Sequence, residues 1–130
     1  MTTQKRRAAG TASGAAMMKA LEVYTPAGER LFDDPVVGRL LPAPARAVLA
    51  SGPVRRWVAR AIERSNPGLL GGMVLRTRYL DDVTRRAVRE GATSVVVLGA
   101  GFDTRAYRMP ELGAARVFEV DQAEHEAAAR

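Results

Sequence analysis

The clearest pattern of apolar and polar positions along the chain runs from residue 73 to residue 90. A stripe of apolar side chains at helical spacing begins at Met73, and arginine and aspartate side chains lie largely outside it. The pattern predicts a helix followed by Gly91, a residue suited to the left-handed conformation that often ends a helix. The preceding segment, 69–72, contains two adjacent glycines and is expected to be a pliable link.

Shorter helices are predicted upstream of that link, separated by proline and glycine. Asp34 precedes Pro35, so we expect Asp34 to cap a helix whose first position is the proline. The weakly apolar amino terminus is expected to be a flexible tail over 1–12. The predicted helices cover 15–24, 36–41, 45–50 and 53–64.

The pattern changes after the long helix. The β-branched run Val95-Val96-Val97-Leu98 predicts a strand buried on both faces, as in a parallel sheet. Gly99 and Gly101 then let the backbone turn tightly and approach a ligand closely. A helix is expected over 103–108 and a second strand over 115–121, with a further helix beginning after it. The predicted fold class is therefore α/β, with parallel strands joined by a right-handed crossover.

Charge and composition narrow the functional classes. The net charge is +6, and all of the excess lies before residue 76, where 11 Lys and Arg residues face 5 Asp and Glu residues. We interpret this excess as solvated helix faces and expect no nucleic-acid partner, because no aromatic residues interleave with the basic ones. No apolar run approaches the roughly 18 residues of a membrane span. The lack of cysteine excludes disulfides and thiolate metal sites, and we expect a cytoplasmic protein with no bound metal.

The glycine turn and a later carboxylate together indicate a ligand that contains ribose. A P-loop is excluded because no G-x-x-x-x-G-K-[ST] segment is present, and Thr104 stands where a dinucleotide site needs a third glycine. Asp121 lies 20 positions after Gly101, where a carboxylate that binds ribose hydroxyls is expected. Glu119 alternates with Asp121 along the strand and points the same way. With no cradle for a pyrophosphate, the pattern favours S-adenosylmethionine over NAD.

Several segments carry a family resemblance. Gly99-Ala100-Gly101-Phe102-Asp103-Thr104-Arg105 and Phe118-Glu119-Val120-Asp121 resemble the leucine carboxyl methyltransferase family, which includes many bacterial S-adenosylmethionine-dependent O-methyltransferases. Arg76-Thr77-Arg78-Tyr79-Leu80-Asp81-Asp82 and Leu31-Phe32-Asp33-Asp34-Pro35 are also similar to it. The resemblance implies an N-terminal helical cap over 13–72. It also implies that 73–130 is the first part of a Rossmann-like, S-adenosylmethionine-binding class I methyltransferase domain, truncated after the second strand.

The resemblance also implies roles for individual residues. Asp121 would hold the ribose hydroxyls, with Glu119 as its alternative, and Arg76 would pair with the cofactor carboxylate, assisted by Lys19. A guanidinium suits that task because it binds a carboxylate through two hydrogen bonds. The residues that would pass under the methionine part of the cofactor are Gly99, Ala100 and Gly101.

Other assignments stay open at this point. Arg78 competes with Arg76 for the cofactor carboxylate, and Arg76 has an alternative role in a surface ion pair with Asp81 or Asp82. Asp103 is a candidate cap for the helix that follows it. Arg105 is a candidate ion-pair partner of Glu119 or Asp121.

The implied reaction is displacement of the sulfonium methyl group by an oxygen of a small-molecule carboxylate or hydroxyl. We expect the 130-residue chain to be a fragment that is inactive alone, because the family's adenine pocket and most of its acceptor site lie beyond the second strand. We also expect self-association through the incomplete sheet, which would expose an edge and an apolar face. Two other functions remain possible, an NAD-dependent oxidoreductase fragment and a non-catalytic basic interaction module.

Overall fold

The computed structural model describes the backbone of residues 3–121 and the side chains of residues 13–121. Five helices come first, followed by a strand, a short helix, a single 3₁₀ helix and a second strand. The helices are α1 (Thr3–Glu22), α2 (Val37–Leu40), α3 (Ala43–Ala50), α4 (Gly52–Ser65), α5 (Leu69–Arg89) and α6 (Arg105–Arg108). The strands are β1 (Ser94–Leu98) and β2 (Arg116–Val120), and the 3₁₀ helix is Pro110–Ala114.

The first helix is longer than the sequence pattern predicts. Its helical backbone begins at Thr3, so it includes most of the segment 1–12 that we expected to be a flexible tail. Alanine is frequent in this segment and has the highest helix propensity, whereas the apolar stripe that guided the prediction starts later. The carboxyl-terminal half of α1 packs into the core of the cap with Val37, Leu41 and Leu49.

Asp34 stabilises the start of α2, although the helix begins at Val37 and not at Pro35. Its Oδ1 accepts hydrogen bonds from the backbone N–H groups of Val36, at 3.2 Å, and Val37, at 2.9 Å. Both N–H groups lie at the start of the helix and have no partner within it, which is why an aspartate suits the position. The predicted helix start at Pro35 is wrong, because Pro35 and Val36 form a turn before the helix. Asp34 itself is 1% exposed, so these hydrogen bonds lie inside the protein.

The predicted link at 69–72 is wrong. Helix α5 begins at Leu69, and the N–H of Gly72 donates to the carbonyl oxygen of Gly68, 2.8 Å away. Two glycines cost a helix only about 1 kcal/mol each, and the packing of α5 against α1 and α4 outweighs that cost. The helix consequently runs across the boundary that we expected between a cap (13–72) and a following domain (73–130).

The end of α5 follows the prediction. Gly91 has a φ of 101° and its N–H donates to the carbonyl oxygen of Val88, while the N–H of Ala92 donates to that of Ala87. This pair of bonds is a Schellman motif, which satisfies carbonyl groups that the helix would otherwise leave without partners. The chain then enters β1 directly.

The two strands pair in parallel, with Val95 opposite Val117 and Leu98 opposite Val120. This pairing confirms the predicted α/β fold class. The prediction that β1 is buried on both faces is wrong for the residues that the structure describes. One face remains exposed, and its apolar side chains have exposed fractions of 57% at Val96, 77% at Leu98, 50% at Phe118 and 52% at Val120.

Two smaller differences concern the connection between the strands. The helix expected over 103–108 is the shorter α6, and the loop after it forms the 3₁₀ helix that starts at Pro110. The helix expected after the second strand lies outside the described residues. Between residues 3 and 121, no helix is both long and apolar enough to cross a membrane.

Candidate functional site

The turn after β1 is held in a conformation that requires glycine. Gly99 and Gly101 have φ angles of 65° and 53°, in the left-handed region that other residues rarely adopt. The N–H of Gly99 donates to the carbonyl oxygen of Val120 at 2.8 Å, and the N–H of Asp103 donates to that of Ala100 at 2.7 Å. The turn is therefore tied to the carboxyl end of the neighbouring strand, the edge at which parallel sheets bind ligands.

A cavity of about 180 Å³ lies between this turn and the helices α1 and α5. It contains five of the seven residues that the sequence indicated as cofactor-binding, drawn from α1, α5 and the turn. The other side of the turn borders a smaller cavity of about 90 Å³, which includes Glu119. The five residues in the larger cavity are Lys19, Arg76, Gly99, Ala100 and Gly101.

Lys19 reaches the turn from α1. Its Nζ donates to the backbone carbonyl oxygen of Phe102 at 2.8 Å. Burial of the amine lowers its pKa below the usual 10.5, and the nearby carboxylates of Asp103 and Asp34 partly oppose that shift. A cation is thus held at the wall of the cavity with few water molecules able to solvate it, and it is suited to attract an anionic group.

The geometry separates the two arginine candidates. Arg76 lines the cavity, whereas the Nε of Arg78 donates to Asp82 at 2.8 Å and its Nη1 donates to the carbonyl oxygen of Leu31 at 2.8 Å. Within residues 13–121, neither Asp81 nor Asp82 forms an ion pair with Arg76. The alternative role for Arg76 in such a pair is therefore wrong, and Arg78 belongs to the surface of α5.

The two carboxylates of the second strand take different positions. The Oδ2 of Asp121 accepts a short hydrogen bond from the N–H of Gly101, which places this carboxylate directly beside the turn. Glu119 borders the smaller cavity together with Asp103 and Tyr107. Of the two, Asp121 is the one bonded to the glycine turn at the end of the second strand.

A buried cluster of charged groups behind the turn escaped the sequence analysis. Asp103 stabilises the start of α6 as expected, since its Oδ1 accepts from the N–H of Arg105 at 2.9 Å. The predicted pairing of Arg105 with Glu119 or Asp121 is replaced by ion pairs with Asp103 and Asp81. Asp81 also accepts two hydrogen bonds from Arg108.

Asp81 lies inside the protein, whereas the helical pattern predicts that it faces solvent. Its polar type assigned it to the solvated side of the long helix, yet its side chain is fully buried. No local spacing reveals this, because its partners are 24 and 27 residues away in the chain. Among the described residues, no group of histidine, cysteine or carboxylate side chains could hold a metal ion.

The chain is similar to known proteins over most of its length. The family model of leucine carboxyl methyltransferases matches residues 12–127. A protein of Frankia alni is 38% identical over 121 residues, covering 88% of this chain and 38% of its own length. Relatives from Streptomyces coelicolor and Mycobacterium avium are 36% and 34% identical and cover 85% and 86% of this chain, again with 38% of their own length.

Each of these relatives carries the provisional name S-adenosyl-L-methionine-dependent methyltransferase. The fold and the turn define an α/β ligand-binding unit of the strand, glycine turn, helix and strand type. The chain belongs to the leucine carboxyl methyltransferase family. It spans about two fifths of the length of the curated relatives that it matches.

Proposed function

We propose that this chain supplies the part of an S-adenosylmethionine-dependent methyltransferase that binds the amino-acid and ribose groups of the cofactor. The observation that carries the proposal is the cavity in which Lys19 and Arg76 face the glycine turn, with Asp121 bonded to the same turn. Membership in the family and the names of the relatives support the choice of cofactor. The lack of cysteine is compatible with a protein of the cytoplasm.

The residues fit the chemistry of that cofactor. Its carboxylate needs cationic hydrogen-bond donors, which Arg76 and the buried amine of Lys19 provide. Its ribose hydroxyls need an acceptor, which the Asp121 carboxylate provides at the end of β2. The cavity of about 180 Å³ is smaller than the roughly 300 Å³ at which small-molecule sites begin, so it suits part of the cofactor.

When bound, the cofactor supplies a methyl group already activated by its sulfonium. The chain's own residues then contribute binding and orientation, which is the larger part of catalysis when the leaving group is so good. We propose that the acceptor is an oxygen of a small-molecule carboxylate or hydroxyl, in keeping with the family's name. A carboxylate acceptor needs no general base, whereas a hydroxyl needs one.

Calorimetric titration of the chain with S-adenosylhomocysteine tests the proposal. The Arg76→Ala variant should raise the dissociation constant about 10- to 100-fold, since a hydrogen bond to a charged group contributes roughly 1.5–3 kcal/mol. The matched control is Arg78→Ala, two positions along the same helix, which should change the constant less than about 3-fold. A larger loss in the control would reassign the carboxylate contact to Arg78.

Titration with NAD is the second arm of the experiment. We expect no binding at concentrations that saturate the S-adenosylhomocysteine site, because Thr104 replaces the third glycine of a dinucleotide site. Tighter binding of NAD than of S-adenosylhomocysteine would contradict the proposal and favour an oxidoreductase. Salt-sensitive binding to nucleic acid without cofactor binding would favour a basic interaction module.

A further inference from the structure

Helix α5 carries two charged residues, Arg76 and Asp81, on opposite sides of the candidate site's wall: one lines the cavity and the other lies behind the glycine turn. Arg76 lines the cavity, and Asp81, five residues further on, is fully buried behind the glycine turn. The Asp81 carboxylate accepts from the Nε of Arg105 at 2.9 Å and from the Nη1 and Nη2 of Arg108 at 2.7 and 2.8 Å. Both arginines belong to α6, which starts immediately after the turn. Asp81 therefore links the helix that carries Arg76 to the segment that carries the turn.

A second carboxylate holds α6 from the side of the cap. The Oγ1 of Thr104 donates to the Oδ2 of Asp34, and the Nε of Arg108 lies 3.4 Å from the same oxygen. Asp34 also accepts from the N–H of Val37, the first residue of α2, so this contact joins the turn to the cap across 70 residues of chain. The side chains of Asp34, Asp81 and Thr104 are all buried, and water has little access to these bonds.

The short helix depends on these contacts for its position. Four residues are too few for a helix to be stable by its own hydrogen bonds. Charge-assisted hydrogen bonds from a guanidinium to a carboxylate have a well-defined geometry, and removing one partner of a buried ion pair is strongly destabilising. The direction of the Asp81 carboxylate thus determines where α6 lies relative to α5, and with it the separation of the turn from Arg76.

We propose that Asp81 is a positioning residue for the glycine turn. Through Arg105 and Arg108 it holds the glycine turn in place opposite Arg76, so that both line one cavity. The importance of this arrangement for cofactor binding rests on the function proposed above. The positioning of the turn itself does not rest on that function, and it can be measured without any ligand.

The test uses the full chain and the Asp81→Glu variant, which keeps the charge and lengthens the side chain by one methylene. The matched control is Asp82→Glu at the neighbouring, half-buried position. Amide hydrogen exchange is measured residue by residue without ligand, because the N–H groups of Gly99, Gly101 and Asp103 are all hydrogen-bonded in the turn. Unfolding in urea gives the global stability, and titration with S-adenosylhomocysteine gives the affinity.

In Asp81→Glu, exchange at the three turn amides should accelerate about tenfold or more, with amides in the middle of α5 within about twofold of the original chain. The affinity for S-adenosylhomocysteine should fall by about tenfold or more, because the two walls of the cavity no longer match. Asp82→Glu should leave all of these values within about twofold. If Asp81→Glu only lowers the global stability, amide exchange should accelerate equally at all positions, and that result would overturn the proposal.

The two readouts separate this inference from the proposed function. If amide exchange at the turn accelerates in Asp81→Glu but the original chain does not bind S-adenosylhomocysteine, the proposed function is rejected. The positioning of the turn by Asp81 is then still supported. Unchanged exchange and unchanged affinity in Asp81→Glu would reject the positioning role while the proposed function stood. The Asp81→Asn variant serves as a second probe, since it removes the charge that both arginines need without adding volume.

Discussion

The amine of Lys19 lies 2.8 Å from the backbone carbonyl oxygen of Phe102, although 83 residues separate them in the chain. This bond connects the first helix of the cap to the turn after β1. It also buries a cation beside the cavity, where desolvation lowers the pKa of Lys19 and the carboxylates of Asp103 and Asp34 oppose the shift. Lys19 therefore couples the charge of the site to pH.

We expect the affinity for S-adenosylhomocysteine to fall as the pH rises toward 10. The pKa of Lys19 lies below its usual 10.5 in the folded chain, so the amine loses its proton, and its attraction for the ligand carboxylate, earlier than an exposed lysine would. The ligand's own amino group also titrates in this range. The measurement is therefore the ratio of the dissociation constants of the original chain and Lys19→Met at each pH.

That ratio should favour the original chain at neutral pH and approach a constant value once the Lys19 amine of the original chain is neutral. The lowered pKa of Lys19 also makes the stability of the folded chain depend on pH. Because the lowered pKa means that the unfolded chain binds the proton more tightly, the contribution of Lys19 to stability increases as the pH rises through its folded pKa. A ratio that does not change with pH would exclude Lys19 from the ligand site.

Because Gly99 has a left-handed backbone conformation, we expect its replacement by alanine to destabilise the chain. In Gly99→Ala the new Cβ meets no atom within 4 Å, so the cost comes from the backbone, whose φ is 65°. The free energy of unfolding in urea should fall by about 1–2 kcal/mol, the penalty of that conformation for other residues. No loss of stability would show that the turn can adopt another conformation without cost.

Because 69–72 is helical, replacing a glycine in this segment by alanine should increase the stability of the chain. Gly71→Ala places a methyl group on α5 with nothing within 4 Å, and it should raise the free energy of unfolding by about 0.5–1 kcal/mol. Gly68→Ala is the matched control, since its space is equally open but its φ is 80°. The control should destabilise, and a neutral effect of Gly71→Ala would return this segment to a flexible link.

We propose that the exposed sheet face mediates self-association of the chain. The face displays four apolar side chains that are at least half exposed, and a second copy offers the same surface in return. Sedimentation equilibrium should show association that depends on concentration. Phe118→Thr should weaken it about tenfold or more, because burial of a phenylalanine contributes about 1.5–3 kcal/mol.

The control for that experiment is Trp57→Gln, which removes an exposed aromatic side chain from α4 instead of from the sheet. It should leave the association constant within about threefold of the original value. A greater effect of Trp57→Gln than of Phe118→Thr would move the contact surface to the cap.

We expect the 130-residue chain to transfer no methyl group by itself. The contacts proposed above would serve only the carboxylate and the ribose of the cofactor, and the chain spans 38% of the length of the relatives that it matches. Incubation with S-adenosylmethionine and a mixture of small carboxylic acids and alcohols, followed by mass spectrometry, checks the expectation. Methyl esters or ethers formed above the rate without protein would contradict it.

The sequence by itself determined the elements whose causes are local. Each of three features depends on a side chain or backbone angle within a few residues: the hydrogen bond of Asp34 to the start of α2, the end of α5 at Gly91 and the glycine turn at Gly99. The parallel strand pair followed from β-branched runs at the expected spacing. Local chemistry of this kind is written in consecutive residues, so the pattern of the chain was sufficient to predict it.

The tertiary structure decided which charged groups meet. Nothing in the spacing distinguished Arg76 from Arg78, and only the packing of α5 against the turn placed Arg76 at the cavity and Arg78 at Asp82. Likewise Asp81 and Asp82 are adjacent carboxylates in one sequence motif, yet one is fully buried and the other half exposed. Burial depends on how distant segments pack together. A charged side chain makes buried ion pairs that hold two segments together only where this packing excludes water.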